Sequence, residues 1–336
     1  MKILNINANN GANLGDALIA FAIKKILSKQ NVMVKQFELA SLMPSIDPES
    51  KNLQLKRFFF LVKRKILILL GYKVEKKIQK EIKVSELIII GGGQLLLPFF
   101  IDKLVIVGKL AQKHNKKIIF LGVGAEKIED DSVLSQIINV VDNSYLRDST
   151  SIEKLSKLGF NVHHQPVPDV VFAIQDYIYQ SYKGNQDLLL SPCEYDRIRY
   201  YNQNCMTKEE YIDWWVAEVK KRKLKKVNFL VSVKKDYKIC VEIGAKLREL
   251  GIQYKLYQPS NVFDYIIAIN SHKEIISGRM HPLIVAECNQ NTILNVQRRN
   301  EKLISYEKKY LSEKISTKEK SEIILSILQK HINYNE

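Results

Sequence analysis

The sequence contains few cysteines, and none of them is spaced as in a metal site. Cysteine occupies four of the 336 positions, namely Cys193, Cys205, Cys240 and Cys288. No two of them show the Cys-x-x-Cys spacing of zinc and redox sites. We therefore expect reduced thiols, a cytoplasmic protein and no bound metal.

Long apolar segments are missing as well. A membrane-spanning helix needs about 20 mostly apolar residues, whereas the apolar residues of Phe58–Leu70 are interrupted by Lys63-Arg64-Lys65. No apolar leader precedes the first strand pattern, which begins at Lys2. The sequence therefore predicts neither a spanning helix nor a signal peptide, which agrees with a cytoplasmic location.

Acidic residues are outnumbered by basic ones, and this imbalance restricts the possible partners. The chain has 52 Lys and Arg against 36 Asp and Glu, a formal net charge of +16. Much of the excess lies between Lys51 and Lys83, where bases alternate with apolar runs. The pattern is typical of a segment at an anionic membrane surface, although a core helix with lysines reaching solvent has the same pattern. From this pattern we predict peripheral association with the inner face of a membrane. We predict no nucleic-acid partner, because the sequence contains no nucleic-acid-binding motif.

Strand and helix patterns alternate along nearly the whole chain. The strands are continuous apolar runs, which is typical of a parallel sheet covered by helices on both faces. We predict an N-terminal Rossmann-like domain over residues 1–178, with the basic apolar segment at 51–83, and a C-terminal one over 186–310. An amphipathic helix in 311–336 is expected to pack back on the first domain.

The most informative motif is Ser277-Gly278-Arg279-Met280-His281-Pro282, between a strand predicted at Glu274–Ile276 and a helix predicted at His281–Asn289. Unpaired amides at a helix N-terminus suit an anion. Arg279 adds a planar fork for phosphate or carboxylate, and His281 titrates near neutral pH. The motif indicates a site for an anionic substrate, although an ordinary strand–helix connection with a surface arginine and histidine has the same pattern.

Two other strand ends carry glycines that let a ligand approach the backbone. The first strand leads into Asn13-Leu14-Gly15-Asp16, and the apolar run Leu87–Ile90 leads into Gly91-Gly92-Gly93. A third element, Arg147-Asp148-Ser149, follows another strand, and Asp148 is placed to cap the next helix. For Arg147 alone, an ordinary salt bridge with Asp148 or another neighbour explains the pattern better than a binding site does.

Taken together, these elements resemble those of the polysaccharide pyruvyl transferases, from the first strand to about Ala286. The resemblance implies an α/β fold of two Rossmann-like domains facing a cleft, as in GT-B glycosyltransferases. It also implies transfer of the enolpyruvyl group of phosphoenolpyruvate to a sugar as a pyruvate ketal. The acceptor would be a glycan of a capsule, an exopolysaccharide or a cell-wall precursor, and its lipid linkage stays open. Met280 stands where the family commonly has leucine.

Ketal formation needs a proton donor, a base for the sugar hydroxyls and cations for the donor. We expect His281 to act as general acid, with phosphate binding by neutral His281 as the alternative, and Asp16 to orient or deprotonate an acceptor hydroxyl. No cofactor or metal is required if arginines neutralise the donor. The residues expected to bind the donor are Arg147, Arg279, Met280, Gly91, Gly92, Gly93, Asn13 and Gly15.

The acceptor is expected to meet aromatic and basic groups that stack on or bond to a sugar. The candidates are Tyr195, Arg197 and Arg199, in a segment without a counterpart in the family, and Asp169. Two other functions stay open. A GT-B glycosyltransferase would hold the diphosphate of a nucleotide sugar at the same Arg-His turn. A third possible function is that of an inactive, basic subunit that docks on a membrane. The presence of Arg147, Arg279 and His281 argues against it.

Overall fold

The computed structural model describes residues 1–9, 11–39, 73–96, 98–125, 134–179, 185–201, 206–296, 301–307 and 315–332. They form two compact α/β units. Unit 1 comprises Met1–Asn10, Ile19–Ala173 and Glu322–Glu336, and unit 2 comprises Gly11–Leu18 and Ile174–Ser321. The segment Phe58–Leu70, on which the membrane prediction depends, lies outside the described residues.

Unit 1 contains a five-stranded parallel sheet in the order β2-β1-β3-β4-β5. Its strands are β1 (Lys2–Asn7), β2 (Met33–Glu38), β3 (Leu87–Gly93), β4 (Ile118–Val123) and β5 (Val141–Leu146). The helices along this part of the chain are α1 (Leu14–Leu27), α2 (Lys73–Val84), α3 (Pro98–Lys113) and α4 (Ser149–Lys157). The chain reverses its direction of winding between β1 and β3, as in flavodoxin-like sheets.

The central strands of unit 1 are buried on both faces. Every residue of β3 and of β4 is buried, which agrees with their continuous apolar sequences. At the end of β3, a Cβ at Gly91 would overlap Ile23, and one at Gly92 would overlap Ile19 of α1. The absence of side chains at Gly91 and Gly92 therefore lets α1 pack closely against the sheet.

Unit 2 contains a second five-stranded parallel sheet, in the order β10-β9-β6-β7-β8. Its strands are β6 (Asn185–Ser191), β7 (Lys226–Leu230), β8 (Gln253–Tyr257), β9 (His272–Ser277) and β10 (Thr292–Val296). The helices are α5 (Gln175–Ile178), α6 (Tyr195–Tyr201), α7 (Lys208–Lys221), α8 (Asp236–Glu249), α9 (Val262–Asn270), α10 (Met280–Cys288) and α11 (Glu301–Tyr306). This is the strand order of the Rossmann fold, with its switch point between β6 and β9.

The core of unit 2 ties the end of β6 to helix α7. Tyr211 and Trp215 of α7 are fully buried. The Tyr211 hydroxyl donates to the carbonyl oxygen of Cys193 at 2.8 Å and accepts from the Cys193 amide at 3.1 Å. The chain that leaves β6 is thereby fixed at the edge of the sheet where α/β proteins bind ligands.

The last helix, α12 (Thr317–Ile332), contributes its second half to unit 1. There, Tyr145 Oη and His331 Nε2 lie 3.0 Å apart. The division of the chain differs from the sequence-based domain bounds at Gly11–Leu18, which belongs to unit 2. None of the helices formed by the described residues has the length and apolar content that a membrane-spanning helix needs.

Candidate anion-binding site

The Ser277–His281 turn lies at the carboxyl edge of the unit 2 sheet, at its switch point. Strands β6 and β9 are neighbours, with Ser191 paired to Ser277. The Gly278 amide donates to the carbonyl oxygen of Ser191 at 2.9 Å, so the turn continues directly from the paired strands. Ligands of open α/β sheets bind outside the carboxyl ends of the strands at this point.

The turn leads into α10 without a side-chain cap. Arg279 is the N-cap residue, with φ −120° and ψ 140°, and its side chain forms no capping hydrogen bond. The Ser277 hydroxyl fixes the turn, because its Oγ donates to the carbonyl oxygen of Arg279 at 2.7 Å and accepts from the Arg279 amide at 3.0 Å. The backbone amides at the start of α10 therefore suit an anionic group.

Arg279 is held by a buried carboxylate that the sequence does not point out. Its Nε donates to Asp236 Oδ2 at 3.1 Å, and its Nη2 donates to Asp236 Oδ1. Asp236 is fully buried, and the Arg279 side chain is 19% exposed. Burial lowers the pKa of Arg279, but Asp236 and other nearby acidic groups raise the pKa by more, above its ordinary value. Arg279 therefore stays charged near neutral pH.

The pairing leaves the opposite edge of the guanidinium available. Among the described residues, none forms a hydrogen bond with Arg279 Nη1. A guanidinium can present two parallel N–H groups at the Nε–Nη2 edge or at the Nη1–Nη2 edge. Asp236 occupies the first of these edges, so an anion would meet the second.

The loop Gly11–Asp16 lies at the carboxyl edge of the unit 2 sheet, where it pairs with the chain that follows β7. The Leu14 amide donates to the carbonyl oxygen of Ser232 at 3.1 Å, and Asn13 forms an isolated antiparallel β-bridge with Val233. Within the loop, Asn13 Oδ1 accepts from the Gly15 amide at 3.0 Å, and Asn13 Nδ2 donates to Asp16 Oδ2 at 2.8 Å. Asn13 and Asp16 thus stabilise the start of α1, and general-base catalysis by Asp16 stays a prediction.

His281 lies against Gly15. The histidine is 7% exposed. A Cβ at Gly15 would come within 2.9 Å of His281 Cγ and 3.0 Å of Cε1, so only glycine leaves room for the imidazole in this position. The structure therefore brings two of the predicted site residues together, although 266 positions separate them. Met280 is also buried, at 7% exposure.

Two acidic groups of the chain after β6 share this environment. Burial raises the pKa of Cys193 to about 12, so its thiol stays protonated near neutral pH. Burial also raises the pKa of the half-buried Glu194 carboxyl, while the charges of Arg279 and Lys235 lower it. The Glu194 carboxyl beside the charged Arg279 therefore takes up a proton more readily than a carboxyl in solvent does.

The predicted acceptor residues of unit 2 lie on α6. The Tyr195 hydroxyl donates to the carbonyl oxygen of Met206 at 2.8 Å, and its ring centroid lies 6.0 Å from that of Tyr211. Tyr195 is thus engaged in packing. Arg197 is half-buried and Arg199 is exposed, and their contact with a sugar stays a prediction.

Unit 1 places Arg147 directly after β5, with its side chain 5% exposed. A Cβ at Gly124 would come within 2.8 Å of Arg147 Nε and 2.9 Å of Nη2, so the guanidinium lies against this glycine. Its three nitrogens have no hydrogen-bond partner among the described residues. The nearest carboxylate oxygens are Asp169 Oδ2, 3.8 Å from Nη1, and Asp148 Oδ2, 3.9 Å from Nε.

The two carboxylates beside Arg147 also serve the backbone. Asp148 caps α4 as predicted, since its Oδ1 accepts from the Ser151 amide at 2.7 Å. Asp169 Oδ1 accepts from the Val171 amide at 3.1 Å. A buried guanidinium without hydrogen bonds has an unfavourable desolvation energy, which a bound anion would offset.

The predicted site residues therefore divide between the two units. Unit 2 contains Asn13, Gly15, Asp16, Tyr195, Arg197, Arg199, Arg279, Met280 and His281, and unit 1 contains Gly91, Gly92, Gly93, Arg147 and Asp169. Gly91–Gly93 are buried, and their contact with a donor stays a prediction. Within the described ranges, no group of three or more His, Cys, Asp or Glu side chains is arranged to hold a metal ion.

Comparison with known families gives one match over most of the chain. A model of the family described as polysaccharide pyruvyl transferase matches residues 13–289. The matched range starts at Asn13 and includes Arg147, Asp236 and the Ser277–His281 turn. No protein of curated function matches the sequence significantly.

Solved structures with a similar fold include UDP-GlcNAc 2-epimerases. The enzyme of Methanocaldococcus jannaschii is 14% identical, with a TM-score of 0.52 over 98% of this chain and 100% of that chain. S. aureus MnaA, solved with UDP, is 12% identical, with a TM-score of 0.52 over 99% and 96%. A putative epimerase of Listeria monocytogenes is 10% identical, with a TM-score of 0.51 over 100% and 97%. This likeness confirms an α/β fold of two Rossmann-like halves of the GT-B type, and it shows the fold alone.

Proposed function

This chain belongs to the polysaccharide pyruvyl transferase family, and we propose that it transfers the enolpyruvyl group of phosphoenolpyruvate to a glycan, where the group closes as a pyruvate ketal. One observation carries this proposal. A single turn at the switch point of unit 2 combines a charged Arg279, the uncapped N-terminus of α10 and the buried His281. These groups suit a small donor with a phosphate and a carboxylate.

The proposed reaction consumes one donor and two sugar hydroxyls. A proton adds to the methylene carbon of phosphoenolpyruvate, so that positive charge develops at C2. One hydroxyl oxygen attacks C2 and loses its proton, and the C2–O bond to phosphate then breaks. A second hydroxyl attacks C2 and loses its proton as well. The products are the cyclic ketal and inorganic phosphate. Of the two protons that the hydroxyls release, one is taken up by phosphate and the other replaces the proton that was added to the methylene carbon.

The residues of unit 2 fit the first half of this sequence. The free edge of Arg279 would bind the donor phosphate or carboxylate end-on, with the amides of α10 as further donors. His281, held in place by the close approach of Gly15, would deliver the proton to the methylene carbon. Asp16 and the acceptor residues Tyr195, Arg197 and Arg199 keep the roles predicted for them.

Arg147 of unit 1 is a second proposed ligand for an anion. Its buried guanidinium lacks hydrogen bonds within the described part of the chain, and it follows a parallel strand as anion ligands of such sheets do. The other proposed properties are a cytoplasmic location, peripheral contact with an anionic membrane and a glycan acceptor, free or lipid-linked. They rest on the sequence pattern and on the family.

The test is calorimetric titration with phosphoenolpyruvate and, in parallel, with UDP-GlcNAc. We expect binding of the first, and a loss of at least about tenfold in Arg279→Lys, because lysine keeps the charge but loses the planar fork. Arg222→Lys is a matched control, since Arg222 is 20% exposed and pairs with Glu218 on α7. Release of phosphate and a ketal methyl signal in the product would complete the assignment. Binding of the nucleotide sugar without phosphoenolpyruvate would instead favour a glycosyltransferase.

A further inference from the structure

We propose that Asp236 is a positioning residue of the anion site, which holds Arg279 side-on so that its Nη1–Nη2 edge faces the ligand. The identity of the ligand rests on the proposed function. The role of Asp236 itself rests on its contacts within unit 2. No role was predicted for Asp236 from the sequence. Its role follows from where its two carboxylate oxygens lie.

Asp236 joins three chain segments at the carboxyl edge of the sheet. Besides Arg279, its Oδ1 accepts from the Glu194 amide at 2.9 Å and its Oδ2 accepts from the Val233 amide at 3.0 Å. Glu194 belongs to the segment after β6, Val233 to the segment after β7 and Arg279 to the turn after β9. Each oxygen therefore accepts one backbone N–H and one guanidinium N–H.

This arrangement fixes the guanidinium in its plane. Two parallel bonds to one carboxylate define both the position and the rotation of the fork, and the two backbone amides fix the carboxylate in turn. Asp236 is also completely buried, so solvent does not compete for these bonds. The end-on edge of Arg279 is thus oriented before a ligand arrives, which lowers the entropic cost of binding.

Asp236 also has an effect that opposes anion binding. Its negative charge neutralises Arg279 and by itself weakens the attraction for an anion. If neutralisation dominates, removal of the carboxylate charge tightens donor binding, and if positioning dominates, removal weakens it. The geometry favours positioning, because the N–H₂ group introduced by Asp236→Asn would replace one of the two oxygens. At either position it would face one backbone amide, of Glu194 or Val233, and one guanidinium N–H, which are both donors.

The first experiment measures donor affinity in a double-mutant cycle. We expect Asp236→Asn to weaken phosphoenolpyruvate binding about tenfold, with the KM of the glycan acceptor unchanged. In an Arg279→Gln background, the same substitution should change donor affinity less than about twofold, because its route of action has been removed. Asp213→Asn is the matched control, since Asp213 pairs with Lys246 on the exposed surface of the same unit.

The second experiment reads the geometry without any substrate. The Nε–H signal of Arg279, assigned by its loss in Arg279→Gln, should exchange slowly with solvent in the wild type and rapidly in Asp236→Asn. Asp236→Glu, which keeps the charge, serves if the asparagine variant does not fold, and it should retain slow exchange and part of the donor affinity. Slow exchange in both Asp236 variants, tighter donor binding, or equal effects of Asp236→Asn with and without Arg279 would overturn the proposal. A wild type that does not bind phosphoenolpyruvate would overturn the proposed function, while the exchange data would still decide the role of Asp236.

Discussion

Arg147 of unit 1 and Arg279 of unit 2 both follow a parallel strand, and both are largely buried. They differ in what surrounds the guanidinium. Arg279 shares two hydrogen bonds with Asp236, whereas the carboxylates nearest to Arg147 lie 3.8 and 3.9 Å away and no hydrogen bond forms within the described part of the chain. The first arginine is fixed by hydrogen bonds to a carboxylate, and the second forms no hydrogen bond with the described residues.

The difference has a thermodynamic meaning. A buried charge is tolerated when hydrogen bonds and an opposite charge compensate its desolvation, and Arg279 meets this condition in the absence of ligand. Arg147 meets it only in part. We therefore interpret Arg279 as a preorganised contact of the folded state and Arg147 as a group whose burial an anion would compensate.

The largest expected effect concerns stability. Arg279→Met leaves the fully buried Asp236 without its cation, and we expect a loss of about 3–5 kcal/mol in the free energy of unfolding. Arg147→Met removes a group that forms no hydrogen bond with the described residues, so its cost should be smaller. Urea unfolding of both variants without ligand provides the comparison.

Arg222→Met is the control for this pair of variants. Arg222, the C-cap residue of α7, pairs with Glu218 four residues earlier, with exposures of 20% and 14%, and i,i+4 helix pairs contribute about 0.5 kcal/mol. Equal costs for Arg147→Met and Arg279→Met, or a greater cost at Arg147, would contradict the contrast between the two arginines.

The next effect depends on two glycines that lie against functional groups. Gly15→Ala would push on the imidazole of His281, and Gly124→Ala would push on the guanidinium of Arg147. If His281 is the general acid, Gly15→Ala should lower turnover about 100-fold. Gly124→Ala should weaken donor binding about tenfold and affect turnover less, since the end of a long side chain can move aside.

Steady-state kinetics at saturating donor separates these two outcomes. Gly251→Ala is the control, because this glycine has φ +74° and a Cβ there would have no other atom within 4 Å. That change should cost stability and leave the activity of the folded enzyme unaltered. Normal turnover in Gly15→Ala would remove His281 from proton transfer.

Local sequence patterns predicted the framework of the site well. The strand predicted at Glu274–Ile276 lies within β9, and the helix predicted at His281–Asn289 corresponds to α10. The hydrogen bonds of a helix join residues close in sequence, and a short continuous apolar run indicates a buried strand before its pairing is known. The Asp148 cap was predictable for the same reason.

The partners of the site residues were not predictable. Asp236 and Arg279 are 43 residues apart, and no local pattern marks a carboxylate for a distant guanidinium. Gly15 and His281 are 266 positions apart in the sequence, and their contact depends on tertiary pairing such as that between the Asn13 loop and the chain after β7. Gly91 and Gly92 show the reverse case, since their pattern suggests ligand contact, whereas their backbone position also serves the packing of α1.

The smallest expected effect extends the comparison to acid stability and concerns His331 in unit 1. Burial lowers its pKa, with Lys330 acting in the same direction and Asp142 opposing them. Its Nε2 lies 3.0 Å from Tyr145 Oη, and His163 lies near the same ring, with centroids 5.6 Å apart.

The sign of the pH dependence follows from the direction of this shift. The unfolded chain, whose histidine keeps the ordinary pKa of 6.5, binds the proton more readily than the folded unit does. The contribution of His331 is therefore fully present above that value and is lost as the pH falls from it toward the lower pKa of the folded state. His331→Phe keeps an aromatic ring beside Tyr145 but cannot titrate, so its urea midpoint should depend less on pH than that of the wild type between about pH 5 and pH 8. His164→Phe, at an exposed position of the same unit, should retain the dependence of the wild type. If His331→Phe lost stability in acid as steeply as the wild type, the acid sensitivity of unit 1 would have to come from other groups, and the packing of α12 on β5 would be independent of protonation.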